Sequence, residues 1–297
     1  MIKSFPKIFQ MGTKYISNIF DGEVEITEKV DGSQFVFGKL DGQLYMRSKG
    51  TQQYRENPDK MFQRAVDYVG KIEDLIPDNT IFYCEYLNKE KHNVLVYNRV
   101  PINNLILFGV ATKEEEFSSD LVSWASKLGI ESVPVVFKGI ASADMLLKLL
   151  ENESILGGVN IEGVVVKNYN KTVLVGGQVI PIMTGKYVSE KFKEVHNKDW
   201  KKENTGHGKW DTFKMGFRTE ARWNKAIQFL KENNTLVGEP RDIGLLVKRV
   251  REDICEEEKE NIKDMLWKIY SGEILRYASA GLPEWYKEQL LKSMEEK

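Results

Sequence analysis

Several short stretches of this chain put charged side chains where apolar neighbours predominate. The most informative is Glu28-Lys29-Val30-Asp31-Gly32-Ser33. Arg47-Ser48-Lys49 follows the next strand-like run, and Phe82-Tyr83-Cys84-Glu85 sets a carboxylate inside an apolar stretch. Glu162-Gly163-Val164-Val165-Val166-Lys167 sets a second acid just before an apolar run, and Lys186-Tyr187-Val188-Ser189-Glu190-Lys191 adds lysines. Charge embedded in an apolar strand is costly unless it is compensated. Several such positions in one sheet-rich region point to a site for a polar ligand. Taken alone, a lysine beside Asp-Gly is also what a charged turn looks like; the set carries the reading.

The elements that must position these residues are mostly strands. Val24–Val30, Gln34–Leu40 and Gln43–Ser48 are strand candidates, the last two joined by Asp41-Gly42, a two-residue hairpin signal. Thr80–Leu87, Asn104–Ala111, Val133–Phe137, Ile161–Lys167 and Thr172–Ile182 are further strand expectations. Asn57–Gly70, Phe117–Leu128 and Ala143–Leu150 have helical spacing. The pattern is α+β, dominated by antiparallel pairs. Near Trp200 the character changes. Lys198 to Trp210 (KDWKKENTGHGKW) is polar and charged, as linkers are. Beyond it run apolar stripes through Trp223, Ala226, Ile227 and Leu230, through Ile243 to Ile254, and through Ile262 to Ile269. These read as core faces of helices. Gly281 and Pro283 mark a stop and restart before a last helix. The expected division is 1–200 and 201–297, the second part a small all-α domain.

Composition narrows the partners. The 297 residues are 41% hydrophobic and 29% charged with a net charge of −1, so any nucleic-acid surface is a local patch. The two cysteines, Cys84 and Cys255, lack metal or redox spacing, as do the three histidines. The N-terminal MIKSFPKIFQMGTKYI has no signal-peptide core, and no apolar run approaches a membrane span. The expectation is a cytoplasmic protein without membrane association, and a monomer by default.

The order KxDG, Arg-Ser, FxxE, EGxVxK and a final lysine-bearing stretch resembles the covalent nucleotidyltransferase superfamily of ATP-dependent DNA ligases, RNA ligases and mRNA capping enzymes. The resemblance covers roughly Glu23 to Glu194. It implies an antiparallel-sheet-rich adenylyltransferase domain of ATP-grasp-like ligase type, using ATP and Mg²⁺, with Mn²⁺ as a substitute. By resemblance, Lys29 is the nucleophile that forms lysyl-AMP, and nearby cations would depress its pKa. Asp31 would orient Lys29 or metal-bound water, and Gly32 would let backbone pack closely. Arg47 would bind phosphate or the incoming 5′ end. Glu85 would accept from a ribose hydroxyl. Phe108 would stack on adenine, or serve as a core aromatic. Glu162 would engage the metal. Lys186, and with it Lys167, would contact the α-phosphate. Glu28 is counted with the nucleotide site. The chain departs from the pattern where many members carry two lysines one residue apart: no such pair precedes Tyr187, and Lys191 is the alternative second contact.

Small DNA ligases and capping enzymes follow this domain with a β-barrel, whereas here helical periodicity follows. That resembles RNA ligases of the phage T4 RNA ligase 2 type, as do Glu28 and the Lys186–Lys191 stretch. The few residues before Lys29 leave no room for the extra domain of NAD-dependent ligases, and compactness suggests a phage or viral source. The implied substrate is RNA, as a nicked duplex, as RNA ends or as an RNA/DNA hybrid. The basic run Lys186, Lys191, Lys193, Lys198, Lys201, Lys202, Lys209, Lys214, Arg218 and Arg222, with Trp200, Trp210 and Phe213, is either a strand-binding surface or a solvated linker.

Overall fold

The computed structural model describes residues 2–188, 210, 213–214 and 216–295. The linker expectation, Lys191, and most of the basic run lie outside the described residues. The chain divides into two compact units: 1–198 with 227–238, and 199–226 with 239–297.

The first unit is built on two sheets. Its strands in chain order are β1 (Phe9–Gln10), β2 (Glu23–Lys29), β3 (Ser33–Leu40), β4 (Gln43–Ser48), β5 (Gln52–Gln53), β6 (Thr80–Tyr86), β7 (Leu105–Thr112), β8 (Phe117–Ser118), β9 (Glu131–Ser132), β10 (Val135–Ile140), β11 (Gly163–Asn168), β12 (Val173–Val175), β13 (Gln178–Ile180) and β14 (Met183–Val188). One sheet runs β1-β14-β11-β2-β10, and a seven-stranded sheet runs β5-β4-β3-β6-β7-β8 with β9 beside β7. All pairings are antiparallel except β1 with β14 and β7 with β9. The remaining strands β12 and β13 form a separate hairpin.

Local chemistry explains the turns. The β3–β4 hairpin turns at Asp41 (φ 52°) and Gly42 (φ 77°), the paired positive φ values a two-residue hairpin requires. The expected strand Thr172–Ile182 is instead the β12–β13 hairpin, because Gly176 (φ 58°) and Gly177 (φ 80°) reverse the chain. The expected helix from Phe117 starts later: Phe117–Ser118 is strand, and α2 (Leu121–Lys127) begins after Asp120, whose carboxylate accepts from the Ser123 amide at 3.2 Å. With α1 (Gln63–Lys71), α2 covers one face of the seven-stranded sheet over Phe35, Phe37, Phe82 and Leu107, all buried, with Phe62 just before α1 in the same core. Each such side chain contributes about 1.5–3 kcal/mol. The five-stranded sheet has its own core around Ile26, Val164 and Val166, with α3 (Ala143–Leu149) against it.

The β2–β11–β14 register decides which residues share the other face. Gly163 pairs with Lys29, Lys167 with Glu25, and Val165 with both Thr27 and Lys186. Side chains alternate along a strand, so Lys29, Lys167 and Lys186 lie on one face and Glu28 on the opposite one.

From residue 220 the described chain is helical: α4 (Glu220–Glu232), α5 (Ile243–Glu257), α6 (Lys259–Ala278) and α7 (Leu282–Glu295). The division between units falls inside α4. In the second unit Arg222 pairs with Asp253 and with Glu258 (2.9 Å), and Lys225 with Asp253 and Glu257. The expected core stripes are only partly covered: Ile243 is 60% exposed and α6 has no buried residue.

Candidate active site

Lys29 ends β2, and its ammonium donates to Glu162 Oε2 at 2.6 Å. Glu162 precedes β11 and is buried. Glu85 projects from β6 of the other sheet, close enough for Lys29, Glu162 and Asp31 to act on its charge. Burial pulls the Lys29 ammonium toward neutrality, but the carboxylates of Glu162, Glu85 and Asp31 outweigh it and hold its pKa above the free value. Burial pushes Glu85 up to about 8; Lys29 pulls it back, while Glu162, Asp31 and Glu232 raise it further. Glu162 is also raised, first by burial, with Lys29 and Lys186 opposing.

Asp31 faces the loop after β6. Its Oδ2 accepts from the amides of Val94 (2.8 Å) and Leu95 (2.9 Å), and its Oδ1 from Asn93 Nδ2 (3.1 Å). Its own amide donates to Tyr97 Oη at 2.8 Å. Gly32 has no room for a side chain: a Cβ would lie 2.7 Å from Glu85 Cγ and 2.8 Å from the Tyr86 carbonyl.

Glu28, on the opposite face, accepts from Ser154 Oγ (2.5 Å) and the Ile155 amide (3.0 Å). Arg47 donates to the carbonyls of Ser48, Ile2 and Lys49 at 3.1–3.2 Å. Phe108 is the extra residue of a bulge, since Tyr83 pairs with Gly109 and Cys84 with Leu107. Its ring packs edge-on to Phe5 at 5.2 Å. A bulged residue leaves its backbone out of the ladder, and the Phe108 carbonyl accepts from Lys167 Nζ at 2.7 Å, tying the two sheets together. Burial brings Lys167 down to about 8, against the pull of Glu25.

The family model for RNA ligases matches residues 22–188, more than half of the chain. The chain belongs to the RNA ligase family. This RNA ligase family member is similar in fold to solved structures of a Naegleria gruberi RNA ligase. A variant of that protein with ATP and Mn gives a TM-score of 0.50 at 16% identity, covering 66% of this chain and 58% of that one. A second variant with ATP and Mn gives 0.50 at 15% identity, covering 67% and 59%. The chain thus spans less than three fifths of the length of that ligase in each case. Curated protein sequences gave no match.

Of the residues the sequence singles out in this RNA ligase family member, the fold brings Lys29, Asp31, Gly32, Glu85 and Glu162 together, with Lys186 near enough to act on Glu162. Glu28 and Arg47 are held elsewhere by the contacts just described. The sequence reading leaves out Asn93, Tyr97, His92, Gln228 and Glu232. Asn93 and His92 lie in a loop without strand or helix periodicity. Gln228 and Glu232 lie some two hundred residues along the chain from Ser33, which they bond. No local signal marks such a pairing.

Proposed function

We propose that this chain is an ATP-dependent RNA ligase that joins 3′-hydroxyl and 5′-phosphate ends through lysyl-AMP on Lys29. The observation that carries the reading is the Lys29–Glu162 contact at 2.6 Å, set beside Glu85 and Asp31 within the region matched by the RNA ligase model.

In the first step Lys29 Nζ gives its proton to water and its lone pair bonds to the α-phosphorus of ATP, while the bond to the bridging oxygen breaks and pyrophosphate leaves. In the second, the AMP passes to a 5′-phosphate and the lysine amine is restored. In the third, a 3′-hydroxyl attacks that phosphate and AMP departs. Lys186 stands on the Lys29 face of the sheet, suited to meet charge growing on the α-phosphate. Glu85 is suited to a ribose hydroxyl, and Phe108 to the base. Arg47 would turn from its backbone carbonyls to phosphate, and Lys167 supports the site through the Phe108 carbonyl.

The donor set fits Mg²⁺, with Mn²⁺ as a substitute. Among the described residues no three acids, histidines or cysteines form a closed metal cage. Mg²⁺ prefers one or two carboxylates completed by phosphate and water. Glu162 would hold it, and it would neutralise phosphate charge there.

The test is incubation with α-labelled ATP or GTP and Mg²⁺, then denaturing electrophoresis, for the wild type and Lys29→Ala. Label from ATP that survives denaturation and vanishes in Lys29→Ala is expected. Label from GTP alone would move the reading to a capping guanylyltransferase. Equal sealing of nicks with DNA on the 3′-hydroxyl side would move it to a DNA ligase. No label from either nucleotide, on protein free of prebound AMP, would remove the ligase reading.

A further inference from the structure

Behind the Lys29–Ser33 turn lies a buried polar network that the chemistry above does not use. Ser33 Oγ donates to Glu232 and accepts from Gln228 Nε2 at 3.1 Å. The Gln228 amide also donates to Glu232 Oε1 at 2.7 Å and reaches the Gly32 carbonyl at 3.4 Å. His92 Nε2 stands 2.8 Å from Ser33 Oγ. Both Ser33 and Glu232 are buried, so water does not compete for these bonds.

The arrangement superficially resembles a nucleophilic serine with a histidine base. The proton positions exclude that. His92 Nδ1 accepts from the Asn88 amide at 3.0 Å, so the ring carries its proton on Nε2 and donates to Ser33. A donor cannot take the serine proton. Ser33 passes its own hydrogen on to Glu232, and the hydrogen bonds run one way, from His92 through Ser33 to Glu232.

The same short segment grips a second part of the unit. Thr51 Oγ1 donates to Asn233, Asn234 Nδ2 donates to Asp59 Oδ1 at 2.6 Å, and Phe229 lies against Gly50. Residues 227–238, reached only after the chain has left for the second unit, therefore seat on both the Lys29–Ser33 turn and the turn after Arg47. The turn between Lys29 and Ser33 is only three residues, one of them Gly32 packed without clearance on Glu85. A displacement of Ser33 has little slack to absorb it before Lys29.

We propose that Glu232 is a positioning residue for Lys29, setting the Lys29–Ser33 turn through Ser33 and Gln228. The proposal rests on the lysyl-AMP reading and assigns Glu232 no contact with nucleotide.

The test is the single-turnover rate of lysyl-AMP formation on the full chain with α-labelled ATP. The variants are Glu232→Ala, Glu232→Gln, Ser33→Ala and the Ser33→Ala/Glu232→Ala double variant. Misplacement of a nucleophile by about 1 Å costs on the order of 100-fold. Glu232→Ala is expected to slow the rate at saturating ATP by roughly 10- to 100-fold, with little change in the ATP concentration giving half the maximal rate. Glu232→Gln keeps an acceptor oxygen for Ser33 and Gln228 and should restore most of the rate, which a merely structural loss would not predict. The double variant should be no slower than the worse single one, because both act through one bond. A wild-type rate in Glu232→Ala overturns the proposal, and so does a Glu232→Gln as slow as the alanine. If Glu232→Ala does not fold, Ser33→Ala at wild-type rate overturns it alone. Absence of label in the wild type would instead remove the lysyl-AMP reading, and the proposal with it.

Discussion

The Lys29 ammonium and the Glu162 carboxylate meet at 2.6 Å across the pairing of β2 with the start of β11. Each answers part of the other's burial. Glu162→Gln should lower stability by about 1–3 kcal/mol, less than for a fully buried pair because the Lys29 side chain is 29% exposed. It should also abolish most lysyl-AMP formation. Urea unfolding and the labelling assay measure the two effects. An unchanged midpoint together with unchanged label would show the contact to be idle.

Gly32→Ala tests the close approach of the turn to β6. The added methyl would meet Glu85 Cγ, the Tyr86 carbonyl and Leu87 Cδ1, each within 3.0 Å, and the carbonyl cannot swing away without breaking the strand. Overpacking of this kind costs about 1–3 kcal/mol. The expected result is a lower melting temperature and slower labelling. A variant that melts and labels as wild type does would contradict the packing argument.

Asp31→Ala removes the acceptor for the Asn93 side chain and for two successive backbone amides. Hydrogen bonds to a charged group contribute about 1.5–3 kcal/mol each. Amide exchange at Val94 and Leu95 should rise well beyond that of β6, which keeps its own ladder. Exchange at those amides as slow as in the wild type would show that the loop is held by other means.

Lys167 gives a pH signature. Its pKa in the folded protein is about 8, below the usual 10.5, so between those values the unfolded chain holds the proton and the folded one does not. Stability should therefore rise as pH goes from 8 to 10.5, by roughly 3 kcal/mol from this group. Below pH 8 both forms are protonated and the burial cost stands in full. Lys167→Met should lose this rise. Equal slopes for the two proteins in urea midpoints from pH 8 to 10 would contradict the assignment.

The strands that present the site were legible because their signals are local. Asp41-Gly42 fixes one hairpin, and short apolar runs bounded by turn residues mark β3, β4 and β6. Helix starts were less so: Asp120 stops the helical pattern that Phe117 and Leu121 suggest together, because a capping side chain outweighs periodicity. The double glycine at 176–177 similarly overrides a continuous apolar strand pattern. At the site, Lys29, Asp31, Glu85 and Glu162 stood out because acids and lysines are rare in apolar strands. Arg47 stood out for the same reason, yet the fold gives it backbone carbonyls as partners. Glu232 could not stand out. It sits on an amphipathic helix among other charged residues, and only tertiary structure brings it to Ser33.

The seating of residues 227–238 in the first unit also has a consequence for synthesis on the ribosome. A nascent chain that ends near residue 200 already holds every described strand of both sheets, but not Gln228, Glu232, Asn233 and Asn234, which bond Ser33, Thr51 and Asp59. The Lys29 turn thus gains its Gln228 and Glu232 supports only after that later stretch has emerged, so the order of translation completes the nucleophile's setting well after the strands that carry it have been made.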